Sequence, residues 1–304
     1  MQILIHPDEL SRAWIERARK NRISRISLHP RGGSAARESL EEMLTLLQRE
    51  EYRALIDELI DSGCEIGYEF HAASYLLPRE LFGEHPEYFR LDENGNRTPE
   101  SNFCFSNEEA RRIVAERAAE LATMLYRAPD DFYFWLDDSR KGSCRCAECG
   151  KRSFADHQLG IMKMMAREIR KSRPEARMCY LAYFEALATP TEETADETVF
   201  LEYAPFDRYV ADLTLEGENM RTLRALIDIF GRERAKLLEY WFDNSLFSGW
   251  KKPPKKFTPD NGKIREECEL YLSLGFSCIS SFACFLGEDY TALYGEPDLS
   301  ATKL

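Results

Sequence analysis

Phe132-Tyr133-Phe134-Trp135-Leu136-Asp137-Asp138 is an unbroken apolar and aromatic run that ends in two adjacent carboxylates. Three thiols follow, in the pattern Cys144-x-Cys146-x-x-Cys149. A short continuous run of this kind reads as a strand buried on both faces, as in a parallel sheet covered by helices. Its end delivers acids to a site, and the thiols read as a clamp on the loop that carries them.

Similar runs recur on both sides of it. Arg25–His29 reads as a first strand stopped by Pro30-Arg31-Gly32-Gly33, and Cys64–His71 reads as a second. Between them lies one helical stretch from Ser39 to Asp61, closed by Gly63. Asn102–Ser106 is a weaker third strand. Ser106 and Glu109 have capping-box spacing and open a helix to Tyr126. After the fourth strand, Phe132–Leu136, come a helix over Ala155–Lys171 and strands at Arg177–Tyr183 and Thr198–Tyr203. A helix over Asn219–Phe230, a strand at Ala235–Phe242, a helix over Gly262–Leu274 and a last strand at Cys278–Ala283 complete the series.

Eight strands alternating with helices imply parallel pairing and right-handed crossovers. In 304 residues they predict an α/β fold, a TIM (β/α)8 barrel over residues 1–304 as a single domain, with long loops at its C-terminal face. A doubly wound open sheet is disfavoured, since no Gly-rich phosphate fingerprint follows the first strand. The segment after Tyr290 has little apolar periodicity and reads as a surface arm.

The net charge of -12 argues against a nucleic-acid partner. The one basic cluster, Lys251-Lys252-Pro253-Pro254-Lys255-Lys256, reads as a solvated loop. No run approaches the roughly 20 apolar residues of a membrane span. Met1–Asp8 lacks the features of a secretory signal, which makes a cytoplasmic protein the expectation. Nine cysteines, several of them single on apolar segments (Cys64, Cys179, Cys278, Cys284), are no disulfide framework.

In a TIM barrel the chemistry lies at the C-terminal ends of the strands. There this chain has His29; Glu69 and His71; Asp137 and Asp138; Tyr183 and Glu185; Glu202 and Tyr203; and Glu239, Trp241 and Asp243. Alternation puts Glu239, Trp241 and Asp243 on one face. A carboxylate within an apolar strand is costly to bury unless it is paired or used. Acids with aromatics between them are what glycoside hydrolysis needs: an acid for the leaving oxygen, a second carboxylate for the sugar or water, and faces that stack on sugar rings. Asp137 and Asp138 both reach the mouth only if the strand ends at Leu136.

The three thiols need a fourth partner to close a structural metal site. Cys104, at the end of the weak third strand, is the first candidate and His157 the second. Four thiolates leave no open position for water, which suits a structural zinc.

Several strings resemble the DUF4838 family: Tyr68–Pro78, His85–Phe89, Asn102–Asn107, Asp137-Asp138 with the cysteine loop, Leu201–Pro205 and Leu238–Trp241. That family is grouped with barrel-type glycoside hydrolases, so the resemblance implies the fold. Cys104 followed by Cys144-x-Cys146-x-x-Cys149 resembles the structural zinc site of family 42 β-galactosidases, which implies Cys104 as fourth ligand. Those enzymes carry Asn-Glu where this chain has Asp137-Asp138. Adjacent aspartates after an aromatic strand resemble family 84 hexosaminidases. That likeness implies that Asp137 orients a substrate's N-acetyl group and Asp138 is the general acid.

The resulting expectation is a retaining glycoside hydrolase acting on a small oligosaccharide or glycoside. Asp138 is the acid, and the nucleophile is Glu239 or an acetamido group held by Asp137. His29, Glu69, His71, Tyr183, Glu202, Tyr203, Trp241 and Asp243 bind substrate, and zinc sits on Cys104, Cys144, Cys146 and Cys149. The alternatives are a non-catalytic carbohydrate-binding barrel with the same zinc, and a metal-dependent hydrolase using Glu69, His71 and the Asp pair. Five histidines in all, with no His-x-His on the first strand, disfavour the last.

Overall fold

A computed structural model describes residues 1–206, 217–276 and 278–303. Eight parallel strands close in sequence order into a barrel: β1 (Gln2–Ile5), β2 (Arg25–Leu28), β3 (Glu65–His71), β4 (Asp131–Trp135), β5 (Arg177–Ala182), β6 (Val199–Tyr203), β7 (Ala235–Glu239) and β8 (Cys278–Phe282). The seam is the pairing of β1 with β8, where Gln2 lies opposite Ser280. Ten helices are described: α1 (Arg12–Asn21), α2 (Ala36–Leu46), α3 (Glu50–Asp61), α4 (Ala73–Leu76), α5 (Glu108–Met124), α6 (Phe154–Ile169), α7 (Glu218–Phe230), α8 (Asn244–Phe247), α9 (Asn261–Ser273) and α10 (Glu288–Tyr294). Asn107 caps α5 through the Ala110 N–H, and Ser153 caps α6 through the Asp156 N–H.

The barrel is as expected, but two elements behind the strand count differ. Gln2–Ile5 is a strand that the sequence reading passed over, and Asn102–Ser106 is not one. The latter lies in the long connection from β3 to α5, where Phe103 makes only an isolated bridge to Phe89. Its alternation reflects aromatic rings packed under a loop, with Phe103 and Phe105 edge to face at 5.3 Å. The helical stretch at 39–61 is two helices, broken after Leu46. The β5–β6 crossover has a single 3-10 turn, Phe184–Leu187, in place of a helix. The C-terminal segment is no free arm: Leu299 and Ala301 are buried, and Thr302 donates to the Asn21 carbonyl at the end of α1.

Period-two alternation sorts the strand residues. Ile26, Tyr68, Phe70, Phe132, Phe134, Leu201 and Leu237 pack in the large core between sheet and helices. Leu4, Tyr133, Trp135, Cys179, Leu181, Phe200, Leu238 and Phe282 form a second core inside the barrel. The floor of that interior is ionic: Arg25 pairs with Glu65, and Asp131 with both Arg177 and Lys236. Gly67 faces the same space. A Cβ there would collide with the Ser27 hydroxyl and press on Arg25.

Candidate active site at the barrel mouth

The inward set of each strand ends at a cavity of about 390 Å³ at the C-terminal face. Its walls include His6, His29 and His71 from the ends of β1, β2 and β3, and Trp135, Leu181, Leu238 and Phe282 from β4, β5, β7 and β8. Two carboxylates line it, Asp138 after β4 and Asp243 after β7. The Asp138 carboxylate is exposed and accepts a hydrogen bond from the Tyr183 hydroxyl at 3.0 Å. Gly32, on the loop after β2, packs so close that a Cβ would sit 3.3 Å from Asp138 Oδ2 and 3.2 Å from the His71 ring. Asp243 caps the short helix α8, its Oδ1 accepting from the Ser245 and Leu246 N–H groups and the Ser245 hydroxyl. Burial pushes its carboxyl up to about 6, against the pull of those donors. Tyr240 stacks on Phe282 and meets Phe206 edge to face across the floor. Trp250 stands at the rim, 64% exposed, with a left-handed backbone (φ 55) unusual for a bulky residue.

Of the residues expected at the site, His29, His71, Asp138, Tyr183 and Asp243 meet in this cavity. Six others do not line it. Glu69 and Glu202 face the barrel interior below the mouth, where Ser27 donates to Glu69 at 2.6 Å and Cys179 to Glu202 at 3.4 Å. Burial drives both carboxyls up, and their proximity adds to the effect on Glu202. Glu239 points the other way, to the helical layer, and takes the Tyr271 hydroxyl of α9 at 2.8 Å. Trp241 follows it outward and donates to Glu267 of α9. Tyr203 is also buried against the helices. The reason is register: the inward residues of β6 and β7 are Glu202 and Leu238, so Tyr203 and Glu239 fall on the outer face.

Asp137 leaves the mouth for a different reason. β4 ends at Trp135, and the loop turns the carboxylate toward the β3–α5 connection. There it pairs with Arg79 at 2.9 Å and accepts the Ser74 N–H, while its own N–H is held by Asn102. It fixes the base of the catalytic-loop candidate and is spent in doing so.

The thiols meet as the spacing suggested. The Sγ atoms of Cys104, Cys144, Cys146 and Cys149 all lie within 4.8 Å of one another. Cys104 is 3.7 Å from Cys146 and 3.9 Å from Cys149. A tetrahedral zinc with Zn–S bonds of about 2.3 Å would set such edges at ~3.8 Å. Backbone N–H groups of Leu91, Ser106 and Cys149 point at the sulfurs of Cys144, Cys149 and Cys146, the outer-shell support that thiolate ligands use. This cluster could hold a metal ion. Cys104 reaches it from the loop before α5, not from a barrel strand. His157 stays outside, its Nε2 bonded to the Cys149 carbonyl at 2.9 Å.

The family model described as "Domain of unknown function (DUF4838)" matches residues 44–226. The chain belongs to the DUF4838 family. No curated protein matches it in sequence. Among solved structures it is similar to a β-galactosidase from the psychrophilic Marinomonas ef1, with 14% identity and a TM-score of 0.51 over 92% of this chain and 54% of that one. It is also similar to a Bacteroides ovatus GH5 xyloglucanase, with 14% identity and a TM-score of 0.50 over 97% and 66%. A Rhizomucor miehei chitinase gives 10% identity and a TM-score of 0.55 over 99% and 98%. At such identities the likeness speaks for the barrel alone. The chain spans little more than half of the β-galactosidase.

The mouth of this DUF4838 barrel is also lined by residues that the sequence does not single out. His6 went unseen because β1 did, although Ile3, Leu4 and Ile5 before it form an apolar run. Trp135 and Tyr240 were visible as aromatics, but only the register shows that they face inward. Phe206 and Trp250 lie on loops, beyond the reach of strand periodicity. No helix among the described residues is long and apolar enough to cross a membrane.

Proposed function

We propose that this protein is a glycoside hydrolase, one domain over residues 1–304, with Asp138 as general acid and Asp243 as second carboxylate. The observation that carries the reading is the pair itself. Asp138 and Asp243 are carboxylates on the wall of one aromatic-lined cavity, delivered from β4 and β7. Tyr183 orients the first, and the start of α8 steadies the charge of the second. Asp138 is placed to protonate a leaving oxygen. Asp243 attacks the sugar in a retaining route or activates water in an inverting one, and the anomer first released distinguishes them. Tyr240, Phe206 and Trp250 supply faces for sugar rings.

In this reading the cysteine site holds a structural zinc. It ties the loop that carries Asp138 to the connection before α5, and four thiolates leave no position open for a reacting water. The setting expected from the sequence, reducing and cytoplasmic, is one in which such thiolates persist.

A second reading, a barrel that binds carbohydrate without cleaving it, draws support from Asp137 and Glu239, both committed to structural partners. A hydrolysis screen over a broad panel of aryl glycosides separates the two. Turnover by the wild type, lost in an Asp243→Asn variant that keeps fold and metal, supports the hydrolase. A folded, metal-loaded wild type that is silent across the panel supports the binding barrel.

A further inference from the structure

One wall of the mouth repeats a single device three times. His6 Nδ1 lies 2.8 Å from the carbonyl oxygen of His29, on the next strand. His29 Nδ1 lies 2.7 Å from the carbonyl of Glu69, again on the next strand. His71 Nδ1 lies 2.6 Å from the carbonyl of Leu136, just after β4. A carbonyl only accepts, so each Nδ1 must carry the proton. In a neutral imidazole the other nitrogen, Nε2, is then a bare acceptor. Burial lowers the basicity of His6 and His29, and for His29 the two flanking imidazoles act in the same sense.

All three rings line the cavity. Their centroids are 6.2 Å apart between His6 and His29, and 6.4 Å between His29 and His71. That exceeds the ~3 Å reach of one hydrogen bond, so no ring bonds directly to its neighbour. A shared metal ion is not the natural occupant: among the described residues, the only ligand group drawn together closely enough is the four-cysteine cluster.

We propose that His6, His29 and His71 form an acceptor-only wall that binds a row of sugar hydroxyls, each donating to one Nε2. The inference rests on the mouth being a sugar site and adds its selectivity. The wall takes donors, and it rejects groups at the same positions that can only accept. A site built to bond a hydroxyl discriminates strongly against an analogue lacking it, because its own polar atom is left unpaired.

The test is nitrogen-15 NMR of histidine-labelled protein at neutral pH. With five histidines in the chain, single His→Gln variants assign the signals. His157 is an internal reference of the opposite tautomer, since its Nε2 donates to the Cys149 carbonyl. The expected result for the ligand-free protein is Nδ1–H for His6, His29 and His71; an Nε2–H or an imidazolium at any of them overturns the proposal. Glucose, galactose and N-acetylglucosamine are then added in excess. Movement of the three Nε2 signals, with at least about tenfold weaker binding of deoxyfluoro analogues at the contacted positions, supports it. In protein also carbon-13-labelled at tyrosine, sugars that shift Tyr183 but leave the Nε2 signals in place overturn the wall and spare the sugar site. If none of the three moves any mouth resonance, the sugar site falls and the wall with it.

Discussion

Replacing Asp156 by asparagine tests how the loops beside the mouth are held. Asp156 is buried in the first turn of α6. Its Oδ1 accepts the backbone N–H groups of Thr191, Glu192 and Glu193 at 2.8–2.9 Å, and its Oδ2 takes the hydroxyls of Ser153 and Thr191. Burial by itself would raise the carboxyl, but these donors outweigh it and hold it at about 2 against an ordinary 3.8. Such a depressed acid contributes stability that is fully present above the unfolded value and is lost as pH falls toward the folded one. At about 1.36 kcal/mol per tenfold change in proton affinity, the contribution at neutral pH is ~2.4 kcal/mol. Asparagine keeps one oxygen for the three N–H groups and removes the charge. Urea unfolding should therefore show the variant about 2 kcal/mol less stable near pH 6, with the gap shrinking to under about 1 kcal/mol near pH 2.5. A gap of the same size at both pH values, or none at either, refutes the reasoning.

Elemental analysis should find one zinc per chain, lost on Cys104→Ser and retained in His157→Gln; the apo form should be cut by protease in the loop between β4 and α6 first. Glu239→Gln should leave kcat untouched and cost about 1 kcal/mol in unfolding experiments through its bond to Tyr271; loss of turnover in a folded Glu239→Gln variant would put Glu239 back at the mouth. Gly32→Ala should lower kcat more than it changes stability, since the new methyl presses on Asp138 and His71. The kcat/KM profile should rise with pH through about 6 as Asp243 ionises; a profile flat across that range removes it from the mechanism.

The barrel was legible because strand and helix periods alternate along the chain, and that signal tolerates local error. It does so here: β1 adds a strand and Asn102–Ser106 removes one, which leaves the count at eight. The cysteine cluster was legible for a different reason, since close spacing of three thiols already limits the chemistry. Choosing Cys104 as the fourth was right about the place and wrong about the element. Side-chain direction at the strand ends was the hardest part. On β7 the expected alternation holds but its phase is reversed, with Glu239 and Trp241 on the outer face and Tyr240 on the inner one. Asp243 reaches the mouth from beyond the strand, where alternation no longer applies. At Asp137 parity carries no information, because Arg79 and Ser74 claim the carboxylate from the β3–α5 connection, about 60 residues away in sequence.

The role of Asp138 as general acid is tested most directly by leaving-group dependence. The measurement compares kcat/KM of wild type and Asp138→Asn on two glycosides of the same sugar, one with a nitrophenol and one with a simple alcohol as leaving group. Loss of the proton donor should cost about 10²–10⁴-fold on the alcohol and far less on the nitrophenol, which departs unaided. Equal losses on both, or none on either, would contradict the account.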